Sequence, residues 1–387
     1  MPLLTALLLG PGLQAQDTSA YESALSHTYS LYEKGEWKAL LQYGKNYLQR
    51  EPDFILLRLR MGYAAFMTGN YSEALTQYAA VLKKDSYNET AHYYSWLCRR
   101  YLNQPEQAGA HLKYLPASVK EQEKIKPVAI TKAAAEVSFK STPQPGRGNG
   151  LYTRTDLYTR LSPGIHMQHS FALFNQTIAE PKFAAVINNN RIAINQREYF
   201  NKTLINLSTR WQLIGAYHYL YTPFNNYIYH NQVALAGLRY NGTCFSVQAD
   251  AVFGSLTDTS ISQLNARVEW LPKGNLDWYL FTTVSIRSRN GLSAVNVKPV
   301  VGAKLMNKLW LEGNATLGTF SNMVENDGLY VYNAIDPNQV KLGATAYITL
   351  GSRYTAQIGY TFEKRILFQT KQSFQQHSIT GGISCQF

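Results

Sequence analysis

Four side chains in this 387-residue chain could be assembled into a nucleophile and its base: His166, His169, Ser170 and His377. A serine hydroxyl in reach of an imidazole can carry acyl transfer. In an extended segment, however, alternate residues point to opposite sides, so His166 and His169 share no face. No enzyme is expected on this reading, and no cofactor. The chain has no Gly-rich phosphate loop, no nucleophile elbow and no clustered metal-ligand spacing. Cys98, Cys244 and Cys385 are odd in number, far apart and without redox or metal spacing.

The remaining chemistry is charge. The net charge is +12, yet only 16% of residues are charged. Lys and Arg are dispersed, so nucleic acid is not an expected partner. Aromatic residues reach 13%, led by 28 Tyr. No apolar run is long enough for a transmembrane helix. Mean hydropathy is −0.26, which alternation of polar and apolar residues would produce by averaging.

That alternation is present from Thr131 to the end. Phe245, Val247, Ala249, Ala251 and Phe253 oppose Ser246, Gln248 and Asp250. Leu264, Ala266, Val268 and Trp270 oppose Asn265, Arg267 and Glu269, and Leu342 to Leu350 repeats the pattern. A period of two means strands. About fourteen are expected, near 131–141, 151–161, 164–174, 190–200, 203–221, 228–241, 244–255, 260–271, 276–288, 293–305, 308–320, 339–350, 354–366 and 374–387. Twelve or sixteen remain alternatives, because 151–161 is weak and Tyr330 and Tyr332 could begin a further strand. Short turns are expected at 162–163, 201–202, 241–242, 272–275, 306–307 and 351–353. They alternate with mostly longer connections at 142–150, 175–189, 222–227, 256–259, 289–292, 321–338 and 367–373. Membrane barrels have this asymmetry between their two ends.

Placing the apolar face outward puts Arg154, Arg160, Arg191, Arg197, Arg210, Arg239, Arg267, Arg287, Lys298 and Lys304 in the lumen. Asp156, Asp250, Glu269, Asp277, Glu312 and Glu363 join them. The excess is basic. It suits either a lumen that favours anionic solutes or polymer, or a ladder of ion pairs that fills the barrel. Tyr217, Tyr219, Tyr221, Tyr227, Tyr229, Trp270, Trp278 and Tyr354 are expected to form interfacial aromatic girdles.

The last strand is the most telling. Ile379, Gly381, Ile383, Cys385 and Phe387 fall on one face, and Ser378, Thr380, Gly382, Ser384 and Gln386 on the other. Thr380, Gly382, Cys385 and Phe387 resemble the C-terminal β-signal of outer-membrane barrels, with Cys385 a poor match to the usual aliphatic or aromatic residue. That resemblance implies outer-membrane lipid and the barrel-assembly machinery as partners.

The N-terminal part differs. Residues 1–15 carry an apolar core, Leu3 to Leu9, and a small-residue exit at Ala15, a signal-peptide pattern without a basic lead. From 16 to 117 the period is helical. Gly35, Gly69 and Asn103 lie 34 residues apart, each at an expected helix-to-helix turn, and Pro52 and Ser86 repeat the interval. This period resembles the tetratricopeptide repeat (TPR), best over Ile55 to Asn88. A stack of such repeats presents a groove, for which Arg58, Tyr63, Tyr93, Tyr94 and Arg99 are candidates. The groove would dock a peptide or polymer client, or the stack is a spacer. Residues 118–130 form a charged linker or capping helix.

The expected fold is therefore α+β and multidomain: an all-α TPR solenoid, then an antiparallel transmembrane β-barrel over 131–387. The combination resembles TPR-plus-barrel proteins of the Gram-negative outer membrane, including exopolysaccharide exporters, Slam-type translocators and YaiO-like barrels, the last preferred. The class implies a periplasmic helical domain that gathers a protein or polymer client for export or envelope assembly. A non-conducting scaffold and a lipid-modifying barrel enzyme are the alternatives.

Overall fold

The computed structural model describes residues 18–126, 128–179, 191–224, 227–289 and 291–387. The expected signal segment lies outside them. Among the described residues seven helices come first: α1 Thr18–Glu33, α2 Trp37–Tyr47, α3 Ile55–Met67, α4 Tyr71–Lys84, α5 Glu89–Tyr101, α6 Pro105–Leu112 and α7 Ala117–Gln122. Gly35, Gly69 and Asn103 all take a left-handed backbone, with φ of 68°, 74° and 54°. Glycine and asparagine tolerate that region, so the 34-residue interval marks three helix–turn–helix pairs. Asn70 and Asn88 cap α4 and α5 by accepting from the Glu73 and Ala91 amides, each at 3.0 Å. Pro105 opens α6, where its missing N–H costs nothing. Leu40, Leu57, Met61 and Ala64 form the core of the first pairs, and Ala65, Leu75, Tyr78, Val81, Ala91 and Cys98 continue it.

Fourteen strands close into an antiparallel barrel: β1 Ala129–Ser141, β2 Arg147–Ser162, β3 Ile165–Ala179, β4 Arg191–Asn206, β5 Trp211–Phe224, β6 Tyr227–Asn241, β7 Phe245–Leu256, β8 Thr259–Trp270, β9 Trp278–Arg289, β10 Leu292–Met306, β11 Leu309–Phe320, β14 Asn338–Leu350, β15 Tyr354–Ile366 and β16 Ser373–Gln386. β16 closes on β1 in the register Ala133↔Cys385 to Ser141↔His377. Two further strands, β12 Val324–Glu325 and β13 Tyr330–Val331, pair only with each other. The expected extra strand near Tyr330 is thus half of a small hairpin outside the barrel ladder.

One turn is corrected. Asn201 and Lys202 lie inside β4, and the bend is at residues 207–210. There the Ser208 hydroxyl accepts from the amides of Arg210 and Trp211, a side-chain turn that competes with the ladder.

The barrel's outer face carries a continuous apolar belt. Phe253 is 61% exposed, and Val137, Leu264, Ile286, Val295, Ile358, Ile379 and Ile383 are exposed beside it. Aromatic rings edge the belt: Trp211–Tyr240 and Trp270–Trp278 towards the short turns, Tyr221–His230 and Tyr360–His377 towards the opposite end.

The helices sit on the end with the short turns. Ser72 donates to the Gly274 carbonyl at 3.0 Å, and Asn275 to that of Gly69 at 3.2 Å. Asn206 donates to the Glu106 carbonyl at 2.7 Å. Leu271 and Tyr279 of the barrel join the apolar core of the helices. A Cβ on Gly109 of α6 would lie 2.4 Å from the Pro163 carbonyl, so only glycine permits this approach.

Candidate functional site

The lumen is partly filled. Among the inward positions of β4 to β8, Leu204, Ile214, Leu220, Val233, Leu235 and Val252 pack together as an apolar cluster. The rest of the wall is polar and ionic. Arg154 lies between Glu136 at 3.2 Å and Asp156 at 3.0 Å. His218 meets Glu198 at 3.2 Å.

The connection from Phe320 to Asn338 folds into this space. Its tip is Asn326-Asp327-Gly328, with φ of 52°, 57° and 96°. Three successive left-handed residues reverse the chain sharply, and Asn, Asp and Gly are the types that accept this. The hairpin seats Val324 in the apolar side of the lumen. The Val324 carbonyl and amide meet Gln263 at 2.7 and 3.1 Å. The Gly328 carbonyl lies 2.7 Å from His218 Nδ1.

The segment's carboxylates are each held by the wall. Glu325 meets Lys298 at 2.9 Å and Lys341 at 3.2 Å. Asp327 meets Arg267 at 3.2 Å and Lys202 at 3.3 Å, and accepts from Gln248 at 2.9 Å. Asp336 meets Arg147 at 2.7 Å. Tyr330 donates to Glu136 at 3.1 Å and lies under the Arg154 guanidinium. A carboxylate buried this far loses its hydration, and a surround of two cations offsets that loss.

A cavity of about 1120 Å³ remains beside the hairpin. Its lining includes Thr257, Asn333, Asp336 and Phe368 of the longer connections and no helical-domain residue, so its mouth is at the end opposite the helices. Seven Lys or Arg and eight Asp or Glu line it. The expected basic excess is absent because Glu136, Glu198, Asp258, Glu269, Glu312 and Glu363 already offset most of the cations, and Glu325 and Asp336 of the hairpin segment offset the rest.

The ten expected lumen cations divide accordingly. Arg154, Arg239, Arg267, Arg287 and Lys298 face inward. Arg239 donates to Gln248 at 2.6 Å, and Arg287 to the Ser321 and Thr319 carbonyls. Arg160 and Lys304 lie at the short-turn rim, donating to the Lys126 carbonyl and facing Asp277 at 3.9 Å. Arg210 is in the corrected turn and reaches Tyr240. Arg197 points outward over the Tyr221 ring, and Arg191 opens β4 with a side chain outside the described residues. The inversion has a cause. The inward residues of this strand are Ile192, Ile194, Gln196 and Glu198, so apolar residues face in and the apolar-outward rule fails. Tyr229, expected in a girdle, lines the cavity instead.

Sequence reasoning missed Glu325, Asp327, Asp336, Lys202, Lys341, Glu136 and Glu198. One signal was available: residues 321–338 hold three carboxylates and no Lys or Arg.

The four side chains weighed as a nucleophile and its base are dispersed. Ser170 donates to Asp156, His169 and His377 face outward against Tyr199 and Tyr360, and His166 is buried beneath α6. In the strand that ends the chain, Thr380 and Gly382 face in, with Thr380 bonded to Ser138 at 2.9 Å, while Cys385 and Phe387 face out.

The groove candidates are likewise engaged. Tyr63 lies among Tyr32, Trp37 and Tyr94, with centroids 5.2–5.4 Å apart. Tyr94 stacks on Tyr78, and Tyr93 donates to Glu123 at 2.9 Å. Arg58 bonds Asp53 and Gln77. Arg99 is not in a groove: it is buried at the barrel contact, donating to Gln104 at 2.7 Å and to the Gly242 carbonyl at 3.0 Å. Burial lowers its pKa to about 10.

No protein-family model and no curated protein matches the chain. Among solved structures it is similar to a deletion mutant of the TodX monoaromatic hydrocarbon channel, at 8% identity and TM-score 0.46, covering 72% of this chain and 93% of that one. The NanC porin matches at 10% identity and TM-score 0.37, covering 66% and 100%. The translocator domain of the autotransporter NalP from Neisseria meningitidis matches at 12% identity and TM-score 0.32, covering 75% and 99%.

Proposed function

We propose that the chain is an outer-membrane β-barrel with a periplasmic helical domain, acting in the export or assembly of an envelope component. The supporting observation is the closed fourteen-stranded wall whose outward face is a belt of exposed Leu, Ile, Val and Phe edged by aromatic rings. Such a surface has no stable contact with water over this extent, and it matches a hydrocarbon layer with two polar interfaces. The short turns, the start of β1, the end of β16 and the helices share one end, which the reading assigns to the periplasm. The three repeated helix pairs are read as TPR-like and as the docking unit for a protein or polymer client, in a YaiO-like arrangement.

The filled lumen favours one second reading, a non-conducting scaffold in which the barrel is only an anchor. Planar-bilayer recording of the full chain decides between them. Substituting Glu325→Gln and Asp327→Asn removes both central contacts of the hairpin. Conductance in that variant supports a path through the barrel; silence in both proteins, each shown to be inserted, supports the scaffold. Recovery of the chain outside the outer-membrane fraction would sink the membrane assignment.

A further inference from the structure

The segment from Ser321 to Asn338 and the wall beneath it differ in charge. The segment contributes Glu325, Asp327 and Asp336 and no cation. The wall answers with Lys298 and Lys341, with Arg267 and Lys202, and with Arg147. Among the described residues, Lys202, Lys298 and Lys341 find their ion-pair partner only on this segment. With the hairpin gone, those three would face the lumen without an ion-pair partner at contact distance, with Glu312 and Glu363 of the wall further off. Lys140 lines the cavity over the Phe174 ring, with Glu363 as its main opposite charge. The basic strip is the floor under the hairpin: Lys202, Arg267, Lys298 and Lys341.

We propose that the hairpin is an internal stand-in for a polyanion, and that the strip beneath it is a binding track for an acidic polysaccharide that displaces the hairpin. This rests on the reading of the barrel as a path. The hairpin's hold is electrostatic at two points, and a chain carrying repeated negative groups can take over the same ammonium and guanidinium partners. A saccharide suits the rest of the wall better than a protein. Tyr152, Asn314, Thr345 and Tyr347 line the cavity, and their side chains have no hydrogen-bond partner among the described residues. They offer neutral hydroxyl and amide groups, of the kind that bind sugar hydroxyls. The cavity exceeds the range of roughly 300–1,000 Å³ usual for single small ligands, which leaves room for several sugar units.

The test uses the full chain with Val324→Cys as a reporter, in a Cys244→Ser and Cys385→Ser background; Cys98 is buried. Val324 is 2% exposed, so a water-soluble maleimide should label it slowly in the resting protein. Dextran sulfate is expected to raise the labelling rate at least several-fold, and uncharged dextran of the same length to leave it unchanged. Poly-glutamate is expected to act much more weakly than dextran sulfate. No response to dextran sulfate, or an equal response to neutral dextran, overturns the proposal. An equal response to poly-glutamate overturns the saccharide assignment. Labelling reports the hairpin and not the current, so its outcome is separate from the conductance test of the path. Where the Glu325→Gln, Asp327→Asn protein conducts, anion selectivity supports the basic strip and cation selectivity overturns it.

Discussion

At the scale of single residues, a buried histidine pair sets a pH limit on the helical domain. His92 Nδ1 and His111 Nδ1 are 2.9 Å apart, and His92 Nε2 faces the Ser86 carbonyl at 3.0 Å. Two nitrogens at that distance need one donor and one acceptor, so the pair cannot be doubly protonated without an N–H facing an N–H. Burial lowers both pKa values, that of His111 well below the usual range; the Ser86 carbonyl opposes the shift at His92, and Lys113 adds to it. Arg99, Asp85 and the stacked Tyr114 complete the surroundings. A base with a depressed folded-state pKa leaves the unfolded chain binding more protons. Stability is therefore full above the unfolded value of about 6.5 and falls with pH below it, by up to ~1.4 kcal/mol per histidine per pH unit until the folded pKa is reached. Helical unfolding followed by circular dichroism should show a lower midpoint at pH 5.5 than at 7.5. His111→Gln should flatten that dependence. Arg99→Ala removes charge-assisted bonds to Gln104 and Gly242, each on the order of 1.5–3 kcal/mol, and should speed proteolytic release of the helices.

At the scale of elements, glycine positions carry the sharpest expectations. Gly69 has open space around its Cβ direction, so Gly69→Ala costs only the left-handed backbone, about 1–2 kcal/mol, in helical stability. Gly109→Val is different in kind. Its side chain would meet the Pro163 carbonyl and His166, so α6 must lift from the barrel. Protease should then cut between the helices and β1 faster, while the barrel keeps its resistance to detergent. The strands themselves were legible because β7, β8, β14 and β16 alternate cleanly. The β4–β5 turn was not, because Asn201 and Lys202 look like turn residues and only Ser208 makes the actual bend. Arg197 was placed inward because periodicity gives two faces without saying which is which, and near the longer connections the outward face is no longer apolar.

At the scale of the molecule, two closures act at opposite ends: the helices over the short turns and the hairpin within the lumen. The hairpin's bonds given above are all to the barrel wall, so the two closures are mechanically separate. Undocking by Gly109→Val should leave the full chain without conductance, and current should need loss of the hairpin's carboxylates. Current from Gly109→Val alone would show that the helices, not the hairpin, are the seal.

Much follows from local pattern alone. Backbone sterics make a period of two read as strands and a 34-residue recurrence of left-handed Gly35, Gly69 and Asn103 read as paired helices. The even strand number then puts both ends of the barrel on one side. What the pattern could not supply is where charges meet. Lys202 and Asp327 are 125 residues apart, and the meeting of Lys298 and Lys341 at Glu325 depends on a loop folding back through the barrel axis. Local periodicity carries no information about such a fold-back, because it sets three carboxylates against cations drawn from five strands. A lumen that reads as basic along the chain is neutral in space because wall carboxylates and the hairpin together match its cations.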